Sequence, residues 1–279
     1  MADRKAYSTD LSDTQWELIE PFMPLPKKRG KKRTVDLREV MNGILYISRT
    51  GCQWRNLPHD FPPKSTVWDY FDRFKKEGTW PRIVDALRRK VRVAAGRDPE
   101  PRTASIDSQT VATHHQGADS AIDGGKGVKG RKRHIVVCSM GLLLAVAVTA
   151  ANLHEGMQAP HVLGQLSEQT TSRLEKVYAD NKYHCRAVWE WESCPGVKYR
   201  IVVVQREGRE FQVLPSRWVV ERSYAWMGWN RRLSKDYERT TSSSEAWCRI
   251  SMIHLMLRRL APAKGVPAFK YRACSKQVA

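Results

Sequence analysis

Three carboxylates in this chain stand where carboxylates are uncommon. Asp107 lies within Ala104-Ser105-Ile106-Asp107-Ser108-Gln109-Thr110-Val111, and Asp180 ends Val177-Tyr178-Ala179-Asp180. Both segments read as strands. Asp is depleted in strands, and a buried carboxylate is costly unless it is paired or holds a metal. Asp180 falls at the carboxyl end of its strand, where open sheets place ligands. The plainer reading of either residue alone is a strand end or a turn cap, and the residues leave both readings open. The third carboxylate, Glu221, lies inside Arg217–Lys235, which reads as one helix begun by Pro215-Ser216.

Helical spacing puts Arg217, Trp218, Glu221, Ala225, Gly228 and Arg232 on one face of that helix. The plain account is an Arg217–Glu221 pair one turn apart. It fits poorly, because Glu before Arg is the better order and a cation in the first turn opposes the helix dipole. The sharper account is a carboxylate that holds a metal beside arginines that hold phosphates. Three carboxylates without a His or Cys pattern suit Mg²⁺ or Mn²⁺, which favour oxygen ligands. Two such ions about 4 Å apart serve phosphodiester displacement by activating the attacking oxygen and stabilising the leaving one.

The charge of the chain agrees with that chemistry. With 48 Lys and Arg against 29 Asp and Glu, the formal net charge of +19 points to a polyanionic partner, nucleic acid first. An anionic membrane surface is the weaker alternative, because the basic residues are spread along the chain. Met-Ala-Asp-Arg-Lys has no apolar run behind it, so no signal peptide is expected. The most apolar stretch, Leu142–Ala151, is about half the roughly 20 residues a membrane span needs. The 6 cysteines are scattered without a Cys-x-x-Cys pair and read as reduced packing residues of a cytosolic protein.

The elements that must position these groups fall into two sets. The first 95 residues read as four short helices. Ser12 with Gln15 forms a capping box, Asp36 and Gly51 bound the second helix, Ser65 or Thr66 caps the third, and Trp80-Pro81 opens the fourth. The set has the character of a helix-turn-helix, with the third helix as recognition element. Residues 96–102 read as a linker. From Thr103 the period changes to strands at 103–111, 133–139 and 142–151, a helix over 158–170, a strand at 176–180, a helix over 184–192 and a strand at 199–205. The Glu221 helix follows, then a last helix capped by Ser242 with Glu245. The expectation is an α/β fold with a mixed sheet flanked by helices over 103–261, and a basic tail over 262–279.

Basic residues suited to DNA phosphates cluster in four places. Lys31, Lys32 and Arg33 belong to a run with six basic residues in seven. Arg73 and Lys76 lie on the outer side of the third helix. Lys126, Lys129, Arg131 and Lys132 fall in a Gly-rich stretch between the first two strands, read as a loop. Arg217, Arg222, Arg231, Arg232 and Lys235 surround Glu221. A solvated surface is the ordinary role of each cluster, and DNA-backbone contact is the functional one. Trp226 and Trp229 interleave with Arg222, Arg231 and Arg232; core packing is the expected role of at least one of them, and stacking on an unpaired base is the alternative.

Taken in order, Ser-Ile-Asp-Ser-Gln, then Tyr-Ala-Asp, then Arg-Trp-Val-Val-Glu-Arg-Ser-Tyr-Ala-Trp with Asn-Arg-Arg-Leu-Ser-Lys-Asp-Tyr-Glu, the sequence resembles the DDE transposases of bacterial insertion sequences, of the insertion-sequence-five type. Leu-Ser-Asp-Thr-Gln-Trp-Glu and Gly-Cys-Gln-Trp-Arg-Asn-Leu-Pro match as well. The resemblance implies a ribonuclease-H-like catalytic domain with Asp107, Asp180 and Glu221 as the metal triad for Mg²⁺ or Mn²⁺, two ions. It implies binding to the terminal inverted repeats, strand cleavage and strand transfer in the bacterial cytoplasm at the nucleoid. The partners are double-stranded DNA and a second copy of the chain on that DNA, with no membrane and no small-molecule substrate. The family's Glu motif has Tyr where Leu214 stands and Lys where Gly228 stands, so Arg231, Arg232 or Lys235 is left to supply that charge. A catalytically inactive DNA-binding protein and a plain metal-dependent nuclease are the alternatives.

Overall fold

The computed structural model describes residues 4–25, 33–113, 119–204, 218–263, 265–267 and 269–271. Its helices are α1 (Asp13–Ile19), α2 (Leu37–Thr50), α3 (Lys64–Lys76), α4 (Thr79–Ala94), α5 (Ala159–Leu163), α6 (Glu168–Thr171), α7 (Arg186–Glu192), α8 (Trp218–Gly228) and α9 (Thr241–Leu260). Its strands are β1 (Thr103–Ala112), β2 (Ala121–Asp123), β3 (Val128–Cys138), β4 (Leu143–Ala150), β5 (Lys176–Ala179) and β6 (Arg200–Val203).

The strands form one mixed sheet. Along β2-β3-β1-β5-β6 the pairs β2–β3 and β3–β1 are antiparallel, whereas β1–β5 and β5–β6 are parallel, and β4 pairs antiparallel with β3. β4, Leu-Leu-Ala-Val-Ala-Val-Thr-Ala, is buried over its first six residues, as a strand covered on both faces must be. α9 lies against it. The ring of Trp247, fully buried on α9, stacks on Phe71 of α3 at 4.7 Å, and Trp54 approaches it at 5.8 Å. α1 to α4 thus close around the last helix, and their apolar side chains share one core with the sheet. The connection over 96–102 is pinned: Glu100 takes Arg88 and Arg89, and Asp98 takes Arg173.

The local signals that set the first helices are those of the sequence. Ser12 and Gln15 make the reciprocal cap, Asp36 accepts from the Arg38 amide, and Gly51 ends α2 at a φ of 72°. Elsewhere tertiary partners override local ones. α3 starts at Lys64 behind Pro63, ahead of the expected Ser65 or Thr66 cap. α9 is capped by Thr240 in place of Ser242, because the Glu245 carboxylate turns to the Val148 amide of β4 at 3.1 Å. The expected helix over 158–170 is split into α5 and α6. The helix expected to reach Lys235 stops at Gly228, and a separate turn of 3₁₀ helix covers Arg231–Leu233. Most consequential, the stretch read as a basic loop is in large part strand: Lys129, Arg131 and Lys132 lie on β3.

Candidate functional site

β1 and β5 bring the first two carboxylates together. Their parallel register pairs Ser105 with Tyr178, so two residues further on Asp107 stands beside Asp180 at the carboxyl end of β5. Both are half-buried. The Asp107 carboxylate accepts the Ser108 amide at 2.7 Å, and Asp180 accepts the Lys182 amide at 3.0 Å, opening a 3₁₀ turn over Asn181–Tyr183.

α8 is moored to the same place. The Tyr224 hydroxyl sits 3.0 Å from the Asp107 carbonyl and 2.6 Å from that of Arg133, which ties the helix one turn after Glu221 to β1 and β3. Ser223 Oγ donates to the Gly141 carbonyl at 2.8 Å, and Arg222 donates to that of Met140 at 3.1 Å. This approach needs a glycine at 141. Its φ is 78°, and a β-carbon there would lie 2.8 Å from the Trp226 ring and 2.9 Å from Ser223 Oγ. With the inner side of α8 so engaged, Trp218, Glu221, Ala225 and Gly228 are exposed on its other side.

Charge around the two aspartates is organised by Lys182, Glu155 and Tyr183, which sequence reasoning did not single out, together with Lys132. Lys182 Nζ bonds Glu155 at 3.0 Å, and Lys132 Nζ lies 3.4 Å from the same carboxylate. Burial works against the Lys182 ammonium, but Glu155, Asp180 and Asp107 outweigh it and raise its pKa. Burial alone would push Glu155 up. The Lys182 hydrogen bond and the Lys132 charge overcome it and hold this carboxyl down at about 2. Tyr183 is buried beneath the aspartates. Burial first, and then the negative field of Asp107 and Asp180, raises its phenol well above the ordinary value.

The basic residues divide sharply. Arg131 is 1% exposed and fully engaged: its guanidinium meets Asp236 at 3.2 Å and donates to the carbonyls of Glu238 and Arg239 at 2.8 and 3.2 Å. Lys132 is buried against Leu153, Asp123 and Glu155. Arg232 is buried against Glu238 at 2.6 Å. These three are not surface cations, which corrects their expected place on a DNA-facing surface: each charge is committed to a buried carboxylate. Arg222 is half-buried between the Trp218 and Trp226 rings at 4.3 and 4.6 Å. Arg73 and Lys76 are exposed but paired with Glu77 and Asp72, and Arg33 donates to the Pro24 carbonyl. Lys126, Lys129, Arg231 and Lys235 are exposed. Lys31, Lys32 and Arg217 lie outside the described residues. Trp226 is 8% exposed and Trp229 64%, so one ring packs and the other faces outward.

Arg131 and Arg133 also explain what the Asn230–Glu238 segment does. Arg133 donates to the carbonyls of Leu233 and Lys235 at 2.7 and 3.1 Å, and the Asp236 amide donates to Ala112 at 2.9 Å. The segment is strapped to β3 and the end of β1, and its exposed Arg231 and Lys235 are fixed relative to the aspartates.

The donor set is chemically that of a hard divalent cation: carboxylate oxygens, part-exposed, with no thiolate or imidazole beside them. Among the described residues no three His, Cys, Asp or Glu side chains close into a metal-holding cluster. The backbone register sets the Asp107–Asp180 pair, while Glu221 lies exposed on α8, one turn before the Tyr224 that moors this helix to the Asp107 carbonyl.

A mixed sheet flanked by helices, with acids on neighbouring parallel strands, is the architecture of a ribonuclease-H-like domain. A family model described as "Transposase DDE domain" matches residues 98–256, more than half of the chain, and the chain belongs to that family. A second model, described as "Putative transposase of IS4/5 family", matches residues 11–84. An "Insertion element IS402 uncharacterized 16.2 kDa protein" of Burkholderia cepacia is 34% identical over 107 residues, 36% of this chain and 71% of that protein. "Uncharacterized protein y4sN" of Sinorhizobium fredii is 26% identical over 108 residues, 39% of this chain and 80% of its own length. No helix among the described residues is long and apolar enough to cross a membrane.

Proposed function

We propose that this transposase binds the terminal inverted repeats of its own insertion sequence, cuts a DNA strand there and joins the freed 3′ end to target DNA. The observation that carries the reading is the register that sets Asp107 beside Asp180, with α8 moored to the Asp107 backbone. Asp107, Asp180 and Glu221 would hold Mg²⁺ or Mn²⁺. When bound, such ions polarise phosphoryl oxygens and ease deprotonation of water.

The chain's own groups do the rest. Tyr224 and the Ser108 amide hold Asp107 in place. Lys182, exposed and drawn by both aspartates, offers a cation at the edge of the site for a phosphate oxygen. Arg231 and Lys235, on the strapped segment, with Lys126, in the turn before β3, and Lys129, at its start, offer phosphate contacts along the strand. Water displaces one side of the phosphodiester and leaves a 3′ hydroxyl, and that hydroxyl then attacks a target phosphodiester. No side-chain nucleophile is required. Two ends held together imply two copies of the chain.

The test uses wild-type protein, a labelled duplex ending in the element's terminal repeat, a target plasmid and Mg²⁺ or Mn²⁺. Nicking at the repeat end followed by joined product supports the proposal. Nicking without joining reduces it to a nuclease, and binding without nicking to a DNA-binding protein.

A further inference from the structure

A second cationic site lies away from the carboxylates, at the far end of α8. A cavity of about 620 Å³ is lined there by Arg49 of α2, Trp229, His254, Arg258 and Arg259 of α9, and Lys270 of the following segment. That volume is in the range of ligand-binding cavities. Among the described residues that line it there is no Asp or Glu. Two stretches distant in sequence, α2 and residues 258–270, thus bring like charges together, with no carboxylate among the described residues of the lining. Burial, with repulsion from Arg258 and Arg231, pushes the Arg49 guanidinium below its ordinary pKa. Arg259 is likewise lowered, by burial first, and is stacked on Trp226 at 4.2 Å and Phe269 at 4.3 Å in place of a carboxylate. Arg49 is aimed by its bond to the Trp229 carbonyl at 2.7 Å. Arg258 and Lys270 are exposed and Arg49 is half-buried, so the cluster is open to an anion, which would lower the mutual repulsion of these cations. His254 lies beside the cations and is held neutral, its pKa pushed down to about 4 by burial and by Arg258 and Arg49.

We infer that this cavity is a phosphate site for a single DNA strand, with Arg49 and Arg258 on backbone phosphate and the exposed face of Trp229 against the adjoining sugar and base. The combination of guanidiniums with an aromatic wall is what a single strand requires: cations for the backbone and a platform that any base accepts. Free phosphate shares part of that chemistry, and the experiment separates the two. The inference names DNA as the occupant because the chain is read above as a transposase.

The test is fluorescence anisotropy of a short labelled oligothymidylate with the full chain over a series of salt concentrations, without divalent metal. In single-strand binding each phosphate contact adds about 0.7 to the slope of log affinity against log salt. The double variant Arg49→Gln with Arg258→Gln is expected to lower that slope by about 1.4, and Arg49→Lys with Arg258→Lys to keep it. Trp229→Ala is expected to weaken binding about tenfold at constant slope. An unchanged slope in the double Gln variant, with a thermal midpoint matching wild type, overturns the site. So does a cavity that pyrophosphate fills, read as a raised midpoint lost in the double Gln variant, without displacing the oligonucleotide. A slope loss in a protein that never nicks its terminal repeat keeps the site and removes the transposase reading. Nicking with no slope loss does the reverse.

Discussion

Replacing Asp236 with Ala removes the centre of the network that straps Asn230–Glu238 to the sheet. Asp236 and Arg131 are 0% and 1% exposed at the side chain, and the carboxylate also takes Ser244 Oγ at 2.7 Å and the Glu238 amide at 3.0 Å. Breaking one partner of a buried ion pair costs about 3–5 kcal/mol, because the other charge is left in the interior. Here the Glu238 and Arg239 carbonyls still solvate Arg131, so the low end applies, about 3 kcal/mol. At roughly 2–3 °C per kcal/mol for a chain of this size, the melting midpoint should fall by roughly 6–9 °C. Thermal unfolding followed by circular dichroism measures it. The contrast is Glu77→Ala, whose partner Arg73 is exposed and whose loss should cost no more than about 0.5 kcal/mol. Arg131→Met combined with Asp236→Leu should recover most of the loss, since no charge is then stranded. An Asp236→Ala protein within about 1 kcal/mol of wild type would refute the reasoning.

Other outcomes follow from the same structure. His134 and His254 are buried with pKa values pushed down to about 4, by burial first and then by Lys132 and Arg258 respectively. The unfolded chain protonates them near 6.5, so their contribution is whole above pH 6.5 and is lost as pH falls towards 4. Denaturant melts across that window should show stability falling by about 1.4 kcal/mol per pH unit for each histidine, with a shallower fall in His254→Gln. Gly141→Ala places a β-carbon against Trp226 and Ser223 at a positive φ. It should cost about 1–3 kcal/mol in urea melts and, by shifting α8, reduce strand cleavage more than affinity for the terminal repeat.

How much of this was legible in the sequence depends on how local each cause is. The caps at Ser12, Asp36 and Gly51 are short-range chemistry, and they stand as read. The mixed α/β sheet was legible from the change of period at Thr103 and from the apolar run of β4. The fate of Arg131, Lys132 and Arg232 was not. A basic run in a Gly-rich stretch reads as a solvated loop, and what turns it into a buried strand is Glu155 and Asp236, just as Glu238 buries Arg232, carboxylates whose positions only the folded chain reveals. The same holds for the helix that was read through to Lys235. Arg133 draws the Leu233 and Lys235 carbonyls to β3, which the continuous helix could not allow. Asp107 and Asp180 were visible as acids out of place on strands, but their adjacency is a property of the β1–β5 register. Tyr224, the residue that joins α8 to that register, stood within the motif that carries the family resemblance, but nothing in the sequence showed that its hydroxyl would meet β1 and β3.

The central claim is that Asp107, Asp180 and Glu221 act together on DNA. It is tested most directly by strand cleavage of a labelled terminal repeat in Mg²⁺ or Mn²⁺, with wild type beside Asp107→Asn, Asp180→Asn and Glu221→Gln, and with repeat binding measured in parallel. The account predicts metal-dependent nicking at the repeat end by wild type, lost in all three variants while binding persists. Normal nicking by Glu221→Gln would show that α8 does not supply the third carboxylate, and normal nicking by Asp107→Asn or Asp180→Asn would contradict the account at its root.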